Sequence, residues 1–257
     1  MNDKWVRILA PLLLLLLLLG AWELSVRWLD MKPFILPAPS RVLITFIDNF
    51  SMLVRHGAVT FSEILLGLLL GGLGGILLAI LVFYSPVMDK ALYPLIIGSQ
   101  MIPVFAIAPI LIVWMGYGLW PKVTVAALIC FFPLVVNVSD GLREPTEEAV
   151  DLFRSMGATR RQIFWKLRLP ASLPTLFSGL KVSATLAVVG ATIGEWVGSH
   201  QGLGYLMLQS NARLRMSLVF AAILMLAILG LFLFGAIRII ERRVVHWRSA
   251  KVDARGG

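Results

Sequence analysis

The chain has 257 residues, of which 59% are hydrophobic and only 14% are charged, whereas soluble domains carry about a quarter charged residues. This composition excludes an ordinary soluble protein and indicates a chain that lies mostly in a membrane. The 23 Lys and Arg residues outnumber the 14 Asp and Glu residues. Because membrane proteins collect basic residues in their cytoplasmic loops, and no soluble domain is left over to bind nucleic acid, we expect no nucleic-acid partner.

Six segments are apolar and long enough to cross a bilayer, for which a helix needs about 20 residues. They cover residues 7–29, 60–84, 91–116, 120–139, 172–197 and 217–240. The first could also be a cleavable signal peptide, but no small-residue cleavage site follows it, so we expect it to be retained. The predicted fold is an all-α membrane protein, a single transmembrane domain over 1–257 with a core of about 60–240 and a basic tail at 241–257.

Small residues recur four apart in two of these spans. The second contains Gly67, Gly71 and Gly75, and the fifth contains Ser183, Ala187 and Ala191. Such rows let helix backbones approach closely inside a membrane. We interpret them first as packing faces, with a role in lining a solute path as the alternative.

Prolines in the third and fourth spans predict bends. They are Pro94, Pro103, Pro109 and Pro133. A proline frees a backbone carbonyl and bends the helix. Gln100 and Asn137 are the polar residues deepest in these two spans, and each could hydrogen-bond to another helix or line a solute path. The other two candidate pathway residues are Pro103 in the third span and Glu195 near the far end of the fifth.

Few ionisable residues lie within the spans, and they form no chain across the membrane. Glu23 and Arg27 are four apart and can pair on one helix face. Lys181 lies where its stem can extend to water, about 21 Å along the helix from Glu195. Without a relay of carboxylates, a proton-driven carrier is disfavoured.

Basic residues are about twice as frequent on the side that holds both termini of a six-span chain, which predicts cytoplasmic termini. The segment 140–170 then also lies in the cytoplasm. Pro145 and several acidic residues begin its first helix, and Gly157 fits a left-handed cap. Thr159 and Gln162 form a capping-box pattern for a second helix, which Pro170 is expected to stop.

Periodicity alone leaves two interpretations of this segment. A basic amphipathic helix can lie on anionic lipid, or it can insert into a groove on another protein. The segment also contains a pattern of spaced residues. An acidic residue is followed six positions later by Gly, and the segment closes on an apolar-x-Leu-Pro ending: Asp151, Gly157, Leu167, Leu169 and Pro170.

This pattern resembles the loop shared by permease subunits of binding-protein-dependent ABC importers, and the resemblance favours the second interpretation. The chain departs from it in having Asp at position 151 and Leu152–Phe153 in place of an alanine pair. Other matching stretches are PFILPAPSRVL, PVFAIAPILIVWMGYG, LPASLPTLFSGLKV, GEWVGSHQGLGYLM and IERRVVHW. Together they are similar to the branch that imports sulfonates, taurine, nitrate and thiamine pyrimidine precursors, and most similar to permeases for hydroxymethylpyrimidine-type precursors.

The resemblance implies a multi-pass subunit of the cell (inner) membrane that moves its solute by alternating access and is not an enzyme. Since the chain has no G-x-x-x-x-G-K-[ST] motif, ATP and Mg²⁺ are expected on a partner ATPase present in two copies, with no cofactor on this chain. A second copy of the chain, an extracytoplasmic solute-binding protein and membrane lipid are the other implied partners. The residues implied to couple to the ATPase are Asp151, Phe153, Gly157, Ala158, Leu167, Leu169 and Pro170.

The sequence leaves three other functions open. Aliphatic sulfonate, taurine or nitrate could be the solute of the same machinery. A secondary carrier or channel would not need an ATPase. A membrane-embedded enzyme would need a nucleophile, base or metal constellation, which the spans do not show.

Overall fold

The computed structural model describes residues 3–248, so nine residues of the predicted basic tail, 249–257, lie outside the described residues. Between 3 and 248 the chain is helical and contains no strand. The α-helices are α1 (Asp3–Trp28), α2 (Pro39–Asp48), α3 (Phe50–Tyr84), α4 (Pro86–Ser99), α5 (Val104–Met115), α6 (Leu119–Arg143), α7 (Glu147–Ser155), α8 (Arg160–Ile163), α9 (Leu169–Gly198), α10 (Leu203–Ala212) and α11 (Met216–Val244). A π-helical segment covers Phe164–Arg168, and a 3-10 turn covers His246–Arg248.

Five helical stretches in the described part of the chain are long and apolar enough to cross a membrane. They are Leu9–Trp28, Phe50–Tyr84, Leu119–Arg143, Arg160–Gly198 and Met216–Val244. The helix that contains the second predicted span, 60–84, is longer than predicted, because α3 already begins at Phe50. The all-α membrane fold is confirmed.

The third predicted span is not one helix. Residues 91–116 are divided between α4 and α5, which meet at an angle of 97° around residues 100–103. Pro103 precedes the first residue of α5, and a proline there can donate no hydrogen bond to the preceding turn. The pair counts as a sixth span only if it crosses the membrane as a broken helix.

The centre of the bundle is formed by α3, α6 and α9, which pack closely through small residues. A Cβ atom built on Gly75 of α3 would lie 2.9 Å from the carbonyl oxygen of Phe131 in α6. One built on Gly190 of α9 would lie 2.8 Å from the Cα atom of Ala126 in α6. The residues predicted as packing faces lie at these contacts or in the core: Gly67, Gly71, Gly75, Ser183, Ala187 and Ala191.

The first helix joins the rest of the fold mainly at its C-terminal end. Glu23 and Arg27 form the predicted ion pair, with a nitrogen–oxygen distance of 2.6 Å. The Glu23 carboxylate also accepts hydrogen bonds from the Ser40 N–H at 2.9 Å and the Ser40 hydroxyl at 2.7 Å. Since only 6% of the spanning window of α1 is buried, most of its leucines remain available to lipid.

The bundle has two ends that differ in structure. One end carries α7, α8 and the π-helical segment, next to the end of α3, and we call it the loop end. The other carries α10, next to the start of α6, and we call it the α10 end. Contacts between Phe164 and Tyr84 at the loop end, and between Thr60 and Leu203 at the α10 end, mark the two.

Candidate functional site

The first helix of the loop, α7, begins at a side-chain cap and ends at a glycine. The Thr146 hydroxyl accepts a hydrogen bond from the Ala149 N–H at 3.4 Å. Gly157 has φ +78°, and the Ala158 N–H donates to the Phe153 carbonyl at 3.0 Å. This is the bonding of a Schellman motif, and it confirms the predicted left-handed cap.

The second helix of the loop begins at the predicted capping box. The Gln162 side-chain oxygen accepts from the Thr159 N–H at 2.8 Å, and the Thr159 hydroxyl accepts from the Gln162 N–H at 3.3 Å. Two backbone donors that a helix start leaves open are therefore satisfied.

The prediction that Pro170 stops this helix is wrong. The chain runs without a break as a helix from Arg160 to Gly198. Within the π-helical segment the Leu169 N–H reaches back to the Phe164 carbonyl, five residues earlier. Such a turn is wider than an α-helical one, and it moves the carbonyl that a proline ring would otherwise strike. The loop is thus mechanically continuous with the fifth span.

An aromatic and cationic contact fixes the loop to the bundle. The Phe164 ring packs against Tyr84 with centroids 5.2 Å apart, and against Phe83 at 6.0 Å. The Arg168 guanidinium lies 5.1 Å from the Phe83 centroid and donates to the Leu142 carbonyl at 2.9 Å. The ends of α3 and α6 are therefore tied to the same short segment.

The outer surface of the loop exposes apolar side chains. Met156 is 77% exposed, and Leu152 and Trp165 are also exposed. Asp151 pairs with Arg154 at 2.8 Å, and both side chains are more than half exposed. Exposed apolar side chains beside charges are typical of a protein-binding surface.

The other predicted coupling residues lie between this surface and the core. Phe153, Ala158, Leu167, Leu169 and Pro170 are half-buried. The loop therefore brings the predicted coupling residues into one segment of the structure, with the acidic residue and the glycine turn outermost.

The four candidate pathway residues do not form one cluster. Gln100 and Pro103 are exposed at the bend between α4 and α5. The Asn137 amide donates to the Pro133 carbonyl of its own helix at 2.7 Å, beside Gly179 of α9. Glu195 lies 16 residues further along α9 than Gly179, or about 24 Å.

Glu195 instead holds the start of α10. Glu195 is 1% exposed, and its carboxylate accepts hydrogen bonds from the Thr60 hydroxyl at 2.6 Å, the Gly204 N–H at 2.5 Å and the Tyr205 N–H at 3.3 Å. The Thr60 oxygen in turn accepts from the Leu203 N–H at 2.8 Å. A carboxylate facing the N-terminal N–H groups of a helix is favourable.

A buried ion pair lies beside this contact. The Lys122 ammonium of α6 binds the Glu63 carboxylate of α3 and lies 3.2 Å from the Ser199 hydroxyl. Glu63 is completely buried, and Lys122 is 7% exposed. The Gly194 backbone permits this approach, since a Cβ there would lie 2.9 Å from the Lys122 Cα.

Sequence reasoning missed this pair. Neither Glu63 nor Lys122 is among the candidate residues predicted from the sequence. The available signal was an acid and a base near the same end of two successive spans. Lys181 was likewise expected to extend to water, whereas its ammonium binds Glu241 of α11 at 2.8 Å.

Most of the chain is similar to known proteins. The family model described as "binding-protein-dependent transport system inner membrane component" matches residues 71–246. The formylaminopyrimidine transport permease protein ThiX of Halalkalibacterium halodurans is 41% identical over 242 residues, covering 94% of this chain and 96% of that protein.

Two further relatives and one solved structure extend the comparison. The riboflavin transport system permease protein RibX of Chloroflexus aurantiacus is 34% identical, covering 96% of this chain and 92% of that protein. The taurine transport system permease protein TauC of Escherichia coli is 27% identical, covering 91% of this chain and 88% of that protein. An inward-facing structure of the MetNI methionine ABC transporter shares the fold, with a TM-score of 0.66 at 23% identity, over 76% of this chain and 97% of that one.

Proposed function

The chain belongs to the family of binding-protein-dependent transport system inner membrane components, and we propose that it moves a substituted pyrimidine of the formylaminopyrimidine type across the membrane. As a member of that family it is the multi-pass permease subunit of an ABC importer and not an enzyme. ATP hydrolysis in such systems takes place on a separate subunit.

One observation carries the proposed solute. The chain is 41% identical to a formylaminopyrimidine permease over 94% of its length, compared with 27% identity to a taurine permease. A substituted pyrimidine agrees in class with the hydroxymethylpyrimidine-type precursor expected from the sequence. Taurine, aliphatic sulfonates and nitrate are the alternative solutes of the same machinery.

We further propose the orientation and the partners. The loop end faces the cytoplasm with both termini, and the α10 end faces an extracytoplasmic solute-binding protein. Two copies of the chain bind two copies of the ATPase, whose ATP and Mg²⁺ supply the energy. The whole chain acts as a single permease domain, with α1 as an extra span outside the core.

The loop is proposed as the coupling element, docked on the ATPase through residues 145–168. The outer surface of the loop is formed by the Asp151–Arg154 ion pair, the Gly157 turn and the exposed apolar side chains. Because the loop continues into α9 and is tied to the ends of α3 and α6, a movement of the ATPase is passed on to three central helices together. Rigid-body movement of this kind can expose a pathway alternately to each side.

Of the candidate pathway residues, Gln100 and Pro103 are best placed to meet solute. They are exposed at the bend between α4 and α5, where the backbone departs from a regular helix. Irregular backbone at membrane depth is tolerated where it lines a cavity. Asn137 and Glu195 already form hydrogen bonds within the chain. We propose that they affect the pathway indirectly, by holding the helices that line it in place.

The solute is tested by reconstituting the permease, its ATPase and its binding protein in liposomes. Uptake of radiolabelled formylaminopyrimidine is measured with ATP and with a non-hydrolysable analogue, and taurine is added as a competitor. We expect ATP-dependent uptake that taurine does not reduce. Uptake of taurine without uptake of the pyrimidine would overturn the proposed solute, and uptake without ATP would overturn the mechanism.

The coupling surface is tested separately through Met156→Asp. Met156 is 77% exposed, so the variant should fold and insert normally while retaining less ATPase on co-purification. Ile35→Ser, an exposed apolar residue near the opposite end, is the matched control and should retain the ATPase fully. Equal retention by both variants would contradict docking through this surface.

A further inference from the structure

The α10 end contains an open cavity whose wall includes the buried ion pair. Its volume is about 430 Å³, within the range of small-molecule sites. It lies between α3, the turn before α6, the start of α6 and the link from α9 to α10. The polar and aromatic lining residues are Glu63, Tyr117, Lys122, Ser199, His200 and Gln201.

The ion pair leaves hydrogen-bonding capacity unused. One oxygen of the Glu63 carboxylate binds Lys122, while the other, Oε2, is buried without a hydrogen-bond partner among the described residues. The Lys122 ammonium has three N–H groups, of which Glu63 and Ser199 account for two. A buried polar atom without a partner is costly, and ionisable residues at membrane depth are usually functional.

The hydrogen-bonding groups of the wall limit what can bind. Glu195 is a close neighbour of Glu63, and its oxygens already accept hydrogen bonds from Thr60 and from the start of α10. Two carboxyl groups therefore stand near one ammonium. An anion such as a sulfonate would bring only further acceptor oxygens, whereas a neutral molecule that carries an N–H group can donate to a carboxylate.

We propose that this cavity receives the solute from the binding protein, and that it selects a neutral planar heterocycle carrying an N–H donor next to a ring acceptor. This inference rests on the proposed function and assigns a site to it. The Glu63 carboxylate, which is buried in the wall of the cavity, turns toward the heterocycle to accept from its amino group, and the ring acceptor faces Lys122 or Ser199. The exposed ring of Tyr117 at the rim offers a surface for stacking.

The test uses the assembled complex of permease and ATPase in lipid nanodiscs, with radiolabelled formylaminopyrimidine as the probe and taurine as the comparison ligand. Equilibrium binding is measured without the binding protein, and uptake is measured with it in liposomes. The variants are Glu63→Gln, which keeps the size of the side chain, and Tyr117→Ala at the exposed rim. Ser62→Ala is the control, because its exposed hydroxyl bonds only within α3.

We expect Glu63→Gln to weaken binding of the probe about tenfold to a hundredfold, as for loss of a hydrogen bond to a charged group. Tyr117→Ala should weaken it about threefold to tenfold, and Ser62→Ala should bind like the wild type. Binding and uptake are normalised to the amount of assembled complex. If Glu63→Gln does not assemble, Tyr117→Ala decides the outcome.

Three results would overturn the inference. Wild-type binding and uptake by Glu63→Gln, or by Tyr117→Ala where the first variant does not assemble, would remove the site while leaving the proposed function intact. Binding of taurine as tight as that of the pyrimidine would overturn the selectivity. Failure of the wild-type complex to take up the pyrimidine at all would overturn the proposed function together with the inference.

Discussion

The two ends of the bundle differ in whether their polar side chains are buried or exposed. At the α10 end, Glu195 and Thr60 are buried and hydrogen-bonded to the start of α10, and Glu63 is buried against Lys122. At the loop end, Asp151 is exposed, and among residues 3–248 its ion pair is with Arg154 of its own helix. The α10 end joins distant segments through buried polar groups. The loop end takes its shape from local turns and is attached to the bundle by the Phe164 ring and the Arg168 guanidinium.

This difference separates two kinds of requirement on the chain. The α10 end must keep the ends of α3, α6 and α9 in one arrangement, and buried polar contacts do this because breaking them leaves unsatisfied groups. The loop end, as the proposed docking element, exposes apolar side chains, and the turns of α7 and α8 hold these side chains in position. Substitutions should therefore damage stability at one end and partner binding at the other.

The largest effect is expected for Glu195→Ala. The change leaves the N–H groups of Gly204 and Tyr205 without their acceptor, and an unsatisfied buried donor costs about 1–3 kcal/mol. We expect a loss of about 2–6 kcal/mol in the free energy of unfolding, measured by chemical unfolding in mixed micelles. Glu195→Gln retains one acceptor oxygen and should lose less.

Glu144→Ala at the exposed loop end is the matched control for this experiment. Surface substitutions usually change stability by no more than about 0.5 kcal/mol. If Glu195→Ala and Glu144→Ala unfolded with the same free energy, the contrast between the two ends would not hold.

The loop end could be predicted because its signals are local. Gly157, Thr159 and Gln162 lie within six positions, and each acts through the backbone of its neighbours. The local signal failed at Pro170, since proline ends an α-helix only when the turn before it is α-helical, and the sequence does not display a π-helical turn. Proline likewise predicted a bend in the third span but not its 97° angle.

The α10 end could not be predicted because its contacts join distant positions. Glu63 and Lys122 are separated by 59 residues, and Thr60 and Glu195 by 135. Their pairing depends on the register of α3, α6 and α9 against one another, which rows of small residues permit but do not fix. A single sequence shows that such rows exist, but it does not show which residues of neighbouring helices face each other.

An intermediate effect is expected for Gly157→Val. A Cβ atom at this position meets nothing within 4 Å, so the penalty comes from the left-handed backbone alone, about 1–2 kcal/mol for a residue other than glycine. We expect about tenfold weaker association with the ATPase, measured by titrating the ATPase onto the permease in nanodiscs. Unfolding of the bundle should be little changed.

Gly157→Asn sharpens this result, because asparagine adopts the left-handed conformation more readily than other residues. It should retain most of the ATPase affinity. Wild-type affinity for Gly157→Val would show that the turn does not position the docking surface.

The smallest effect is expected for Thr159→Ala, which removes one of the two reciprocal hydrogen bonds of the capping box. Loss of a threonine cap costs about 1 kcal/mol, equivalent to about a fivefold change in a local equilibrium. Hydrogen exchange at the Gln162 amide, which loses its acceptor, should therefore be about five times faster. Thr159→Ser keeps the hydroxyl and should exchange like the wild type. Because the penalty is confined to the first turn of α8, unfolding of the α10 end should not change. Equal exchange in all three proteins would show that the helix start is held by its continuity with α9 rather than by its cap.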